Sequence, residues 1–132
     1  MGELTQRVTG PVDPETAWRR YVEPRLWSTW APHIRGVEYD LDRLHTRTSG
    51  AVIGPMGLRV PFTVDAVDEP NRTWSWTVQF LVRGCALVTV DLAHGVESQG
   101  LGTATWLRLR GAWPVIVAYA PVSRWALRFL VR

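Results

Sequence analysis

The sequence predicts an α+β fold. A curved antiparallel sheet of about six or seven strands should wrap one long C-terminal helix, with two short helices after the first strand. Between Leu58 and Arg110, apolar residues recur at every second position, as half-buried strands require. In 13–23 and 113–132 the recurrence changes to every third or fourth position, as helices require. Strands in one run with helices at the ends indicate α+β. A chain of 132 residues has the size of one domain, so a single core over 1–132 is expected.

The elements follow in order. Glu3 to Thr9 reads as a first strand, broken by Gly10-Pro11. Asp13-Pro14-Glu15 starts a helix: Asp13 can cap it, Pro14 suits its first position, and Glu15 favours the positive dipole end. Trp18, Tyr21 and Val22 then share the core face, and Pro24 ends the helix. Leu26 to Trp30 forms one more turn, with Trp27 and Trp30 on one face. Val37 to Leu41 and Thr46 to Ile53 read as the next two strands, before a turn at Gly54-Pro55-Met56-Gly57.

Leu58, Val60, Phe62, Val64 and Ala66 alternate with Arg59, Pro61, Thr63, Asp65 and Val67, and Pro61 argues for an edge or bulged position. Asp68-Glu69-Pro70-Asn71 is a turn. Trp74, Trp76, Val78, Phe80 and Val82 share the next strand face, and Arg83-Gly84 turns the chain. Ala86, Val88, Val90, Leu92 and His94 share the face after that, on a strand expected to reach Glu97. Thr103 to Arg110 is the last strand, with Ala104, Trp106, Arg108 and Arg110 on one side and Thr103, Thr105, Leu107 and Leu109 on the other. After Gly111, the helical stripe Trp113, Ile116, Val117, Ala120, Leu127, Leu130 and Val131 should face the core, with Pro121 kinking or splitting the helix.

Composition excludes several functions. The single cysteine, Cys85, rules out an internal disulfide and a zinc site of several cysteines. All 15 basic residues are arginine, the net charge is +3, and no run of five like charges or nucleic-acid motif exists. No nucleic-acid partner is therefore expected. The N-terminus lacks a signal-peptide core, and the longest apolar stretch, Gly111 to Ser123, is shorter than the ~20 residues a membrane helix needs. A cytoplasmic protein without a transmembrane segment follows as the expectation. No phosphate loop, dinucleotide fingerprint or nucleophile elbow is present, so no cofactor is expected. His33, His45 and His94 lack metal-site spacing, so no metal is expected. Asp40 and Asp42, and Asp65 and Asp68, lack the signature of a catalytic carboxylate pair.

Several local patterns resemble the START-like helix-grip (SRPBCC) superfamily, in particular its polyketide cyclase/dehydrase group. They are Val12-Asp13-Pro14-Glu15-Thr16-Ala17-Trp18, Trp27-Ser28-Thr29-Trp30-Ala31-Pro32, Asp65-Ala66-Val67-Asp68-Glu69-Pro70, Gly102-Thr103 and the apolar C-terminal helix. The resemblance spans nearly the whole chain, and its motifs are signatures of fold rather than of catalysis. It implies a helix-grip fold with a hydrophobic cavity between sheet and C-terminal helix. The implied function is binding of an apolar or aromatic small molecule. The alternative is a polyketide cyclase or aromatase that orients its substrate and transfers protons. A monomer or homodimer would serve either.

Candidate site residues follow. His94 could shuttle a proton at a cavity rim, or be a hydrogen-bonded strand-end histidine. Trp74 and Trp76, joined by Trp106 from the last strand, either line a pocket for a flat ligand or pack the core. Trp27 and Trp30 carry a pattern of the resembled family and read first as core, with Trp30 also a candidate pocket wall. Tyr119 and Tyr39 could offer a phenol to an enolate oxygen. Arg59, Arg83, Arg108 and Arg110 could fork onto an acidic group, or be solvated. Together, His94, Tyr119 and Arg108 form the candidate catalytic set.

Overall fold

The computed structural model describes residues 2–82 and 86–132. The Arg83-Gly84 turn, Arg83 as an anion-binding candidate and Cys85 lie outside the described residues, as do the side chains of Val82 and Ala86. Seven antiparallel strands form one sheet in the order β1-β7-β6-β5-β4-β3-β2. The strands are β1 (Gly2–Gly10), β2 (Gly36–Glu38), β3 (Thr48–Ile53), β4 (Arg59–Asp68), β5 (Thr73–Val82), β6 (Ala86–Gln99) and β7 (Gly102–Gly111). Helices α1 (Pro14–Val22) and α2 (Trp27–Trp30) follow β1, and α3 (Trp113–Leu130) follows β7. This is the helix-grip α+β arrangement: the curved sheet holds the long C-terminal helix against its inner face.

Asp13 caps α1 by accepting a 3.0 Å bond from the Thr16 amide, and Trp18, Tyr21 and Val22 are buried. Pro24 opens a single 3₁₀ turn that leads into α2. Here Trp27 donates to the Tyr21 carbonyl at 2.7 Å and Trp30 to the Arg20 carbonyl at 2.9 Å. Both indoles therefore tie α2 to the carbonyls of α1 and meet their own hydrogen-bond demand. Trp18 reaches Glu69 at 2.6 Å, and Arg43 forks onto the same carboxylate at 2.8 and 2.9 Å. That network fastens α1, the segment before β3 and the β4–β5 turn together.

Four details differ from the sequence reading. β2 stops at Glu38, and Leu41 is exposed rather than in a strand. In β4 the register shifts between Val64 and Ala66. The extra residue reverses the faces, so Ala66 points outward and Val67 packs on the core. β4 is an interior strand, and Pro61 is tolerated because β5 pairs with β4 only from Phe62 onward. Helix α3 is not split: it continues through Pro121, which is exposed on its outer side. Its buried face runs through Ile116, Ser123, Ala126, Leu127 and Leu130, whereas Trp113 and Val117 are exposed. The expected stripe failed at its first turns because apolar residues occupy both sides of the helix there.

Candidate functional site

The inner faces of β5 and β6 are built in layers by their register: Trp74 opposite His94, Trp76 opposite Leu92, Val78 opposite Val90 and Phe80 opposite Val88. The first two layers are filled with rings. Trp74 stacks on His94 with centroids 4.7 Å apart, and Trp27 lies 5.2 Å from Trp76 and 5.8 Å from Trp74. Tyr21 closes over His94 at 4.9 Å. Its hydroxyl meets Thr105 Oγ1 at 2.5 Å, and Thr105 donates to the Gly95 carbonyl at 3.0 Å.

The Val78 and Val90 layer is left open. A cavity of about 140 Å³ lies there between the sheet and α3. Val52, Val60, Val78, Phe80, Val90, Leu92, Leu109, Val115 and Ile116 form most of its wall. Trp76 closes the inner end, and Gly54, Pro55 and Leu58 form the opposite rim. Its polar wall atoms come chiefly from His33 and Tyr119, whose Nε2 and hydroxyl are 3.4 Å apart. Among the described residues, no arginine, aspartate or glutamate belongs to the wall. A smaller pocket of about 30 Å³ lies behind it, among Trp74, His94, Tyr119 and Ser123.

The electrostatics keep this interior neutral. Burial pushes His94 down from 6.5 to about 3. Trp76 Nε1 can only donate, and it does so to His94 Nε2 at 3.0 Å. His94 is therefore uncharged near neutral pH, with its proton on Nδ1. Burial lowers His33 and raises Tyr119 from 10.0 to about 12.

The sequence candidates are thus distributed over three places. Trp76 and Tyr119 line the cavity, while Trp74 and Trp30 sit in the ring-filled end. His94 is buried in mid-strand rather than at a rim, with its basicity suppressed and its Nε2 engaged. A general base working near neutral pH needs a pKa close to that value. Trp106 does not join Trp74 and Trp76. It lies on the opposite side of β7, over Gly95, where any added Cβ would come within 2.2 Å of its ring. Arg108 and Arg110 share that outer side, because Thr103, Thr105, Leu107 and Leu109 take the core face. The candidate catalytic set His94, Tyr119 and Arg108 is therefore not one constellation.

Tyr39 bonds Thr48 at 2.6 Å outside the cavity, and Arg59 pairs with Glu38. Among the described residues, no group of three or more His, Cys, Asp or Glu side chains is placed to hold a metal. The residue sequence reasoning missed is His33. Its signal was its position two residues after the Trp30-Ala31 end of a buried turn, which brings it against α3.

No protein-family model matches the chain, and no curated protein matches it. Solved structures do. Ara h 8.0201 matches with a TM-score of 0.76 and 17% identity, over 98% of this chain and 94% of that one. The di-domain ARO/CYC BexL from the BE-7585A biosynthetic pathway matches with a TM-score of 0.80 and 15% identity, over 99% of this chain and 45% of its own. DynU16 from the dynemicin biosynthetic locus matches at 0.73 and 15%, over 97% of this chain and 46% of its own. These likenesses show that the chain shares the fold of these proteins, a curved antiparallel sheet gripping a long C-terminal helix. Among the described residues no helix is long and apolar enough to cross a membrane.

Proposed function

We propose that the protein binds a small, uncharged, largely apolar molecule of about one ring in the cavity beneath α3. The observation that carries this reading is the cavity itself: about 140 Å³, aliphatic on most sides, without a charged wall residue among the described residues. An engineered apolar cavity of ~150 Å³ holds benzene. A space of this size suits one ring with a short substituent. Charge is excluded for a simple reason: an ionised group buried without a partner loses its hydration and gains nothing in return. Tyr119 and His33 can give or take one hydrogen bond and so orient a single polar substituent.

The alternative, cyclisation of a polyketide, draws support from the likeness to BexL. The geometry favours binding, because a multi-ring product exceeds the cavity and His94 is no base near neutral pH.

Calorimetric titration with toluene, p-cresol and p-toluate tests the reading. The two neutral probes should bind with one site and p-toluate should not. Val90→Phe, which fills the cavity, should abolish binding and leave a cooperative thermal transition. Failure of both neutral probes, or equal binding of p-toluate, would contradict it.

A further inference from the structure

The outer side of α3 is unusual for a helix in water. Trp113, Pro114, Val117, Ala118, Pro121 and Trp125 are all exposed, Val117 by 64% and the two tryptophans by about half. Arg124, Arg128 and Arg132 follow four apart toward the C-terminal end and are exposed too. From Trp113 to Arg132 the sequence holds no acidic residue. Across the cavity, Met56 is 97% exposed and Leu58 58% exposed. Leu58 and Val115 both belong to the cavity wall, so both exposed apolar segments adjoin the cavity. Five of the seven exposed large apolar residues lie on these two segments; only Leu41 and Leu101 lie elsewhere among the described residues. Scattered apolar residues need no explanation, but this gathering on two segments that adjoin one cavity does.

We propose that this face docks the protein on an anionic lipid bilayer, with the entrance turned toward the acyl chains. The proposal rests on the cavity being a ligand site and names where the ligand is exchanged. Tryptophan, valine and methionine side chains suit the boundary between headgroups and acyl chains. Arginine can lay its stem along that boundary and carry its charge to lipid phosphate. A second copy of the chain is a poorer occupant. Two such helix faces together would bury arginines with no carboxylate on either helix to receive them. Helix α3 is not apolar enough to span a membrane, and its inner side is held by the core, so it lies on the surface. An apolar ligand would then pass between bilayer and cavity without crossing water.

Sedimentation with vesicles tests this. One set is pure phosphatidylcholine, the other equimolar phosphatidylcholine and phosphatidylglycerol. The protein should pellet with the mixed vesicles and be released by salt. Val117→Asp, and the pair Arg124→Glu with Arg128→Glu, should each weaken pelleting by roughly ten-fold or more. Both variants alter exposed positions away from the cavity wall, so p-cresol binding in vesicle-free solution should be unchanged. Three results would overturn the proposal: no pelleting, equal pelleting on both vesicles, or a concentration-dependent dimer disrupted by Val117→Asp in place of vesicle binding. Pelleting without any p-cresol binding would uphold the docking and remove the ligand reading beneath it.

Discussion

Two ends of one interior are built by the same pair of strands and filled in opposite ways. At one end β5 and β6 present Trp74, Trp76 and His94, which close with Trp27 and Tyr21 into stacked and tilted rings. At the other they present Val78 and Val90 beneath Ile116, and about 140 Å³ stays open. The strand period decides which residues face α3. The volume of each residue on that face then decides whether the space is closed. The tryptophan-rich end is closed by its own rings, and the valine-rich end leaves space open.

This contrast can be broken most severely at the ring-filled end. Trp74→Ala removes a ring that touches Trp27, Trp76, Tyr21 and His94, and should cost about 3–5 kcal/mol in urea unfolding. A loss below ~1 kcal/mol would mean the rings are not the structural end.

The next effect is one of pH. His94 is held at about 3 in the folded protein against 6.5 when unfolded, so unfolding takes up a proton below 6.5. Its contribution to stability is complete above that pH and declines as the pH falls toward 3. From about pH 7 to about pH 5 the wild type should lose roughly 2 kcal/mol more than His94→Gln, which keeps an acceptor for Trp76. Parallel pH profiles for the two proteins would refute the buried neutral histidine.

At the open end the same kind of change should matter far less. Val90→Phe puts a ring into existing space, so stability should stay within ~1 kcal/mol, where overpacking a filled core costs ~1–3 kcal/mol. Thermal unfolding beside the p-cresol titration measures both consequences. Smallest of all is Tyr119→Phe. Loss of one hydrogen bond should weaken p-cresol by roughly 2- to 10-fold and leave toluene unchanged. Equal losses for both ligands would assign Tyr119 to packing alone.

The architecture was legible because each element carried its own signal. The Asp13-Pro14 start of α1 and the alternation from Trp74 to Phe80 appear in the structure as read. Faces were harder to read wherever both sides of an element are apolar. In β7, Trp106 and Leu107 are equally credible core residues by pattern; buried Thr103 and Thr105 decide between them, through hydrogen bonds to Val12 and Gly95 that no local pattern encodes. In α3 the outward Trp113, Val117 and Trp125 blur the stripe. In β4 one bulge changes the parity after Val64. A cavity between sheet and α3 was expected from the resemblance, but its size and its place at the Val78 and Val90 layer were not legible, because a void depends on volumes summed across strands far apart in sequence. His33 acquires its role only through Tyr119, 86 residues away.

One end of this interior is preformed empty space of about 140 Å³, and the other is packed with rings except for about 30 Å³. Diffraction from a crystal pressurised with xenon tests this most directly, since xenon enters dry apolar cavities without chemical recognition. Xenon should occupy one dominant site, bounded by Val78, Val90 and Ile116, with far lower occupancy in the pocket of about 30 Å³ among Trp27, Trp74 and Trp76. An empty valine end, or stronger xenon occupancy between the tryptophans than at the valines, would contradict this.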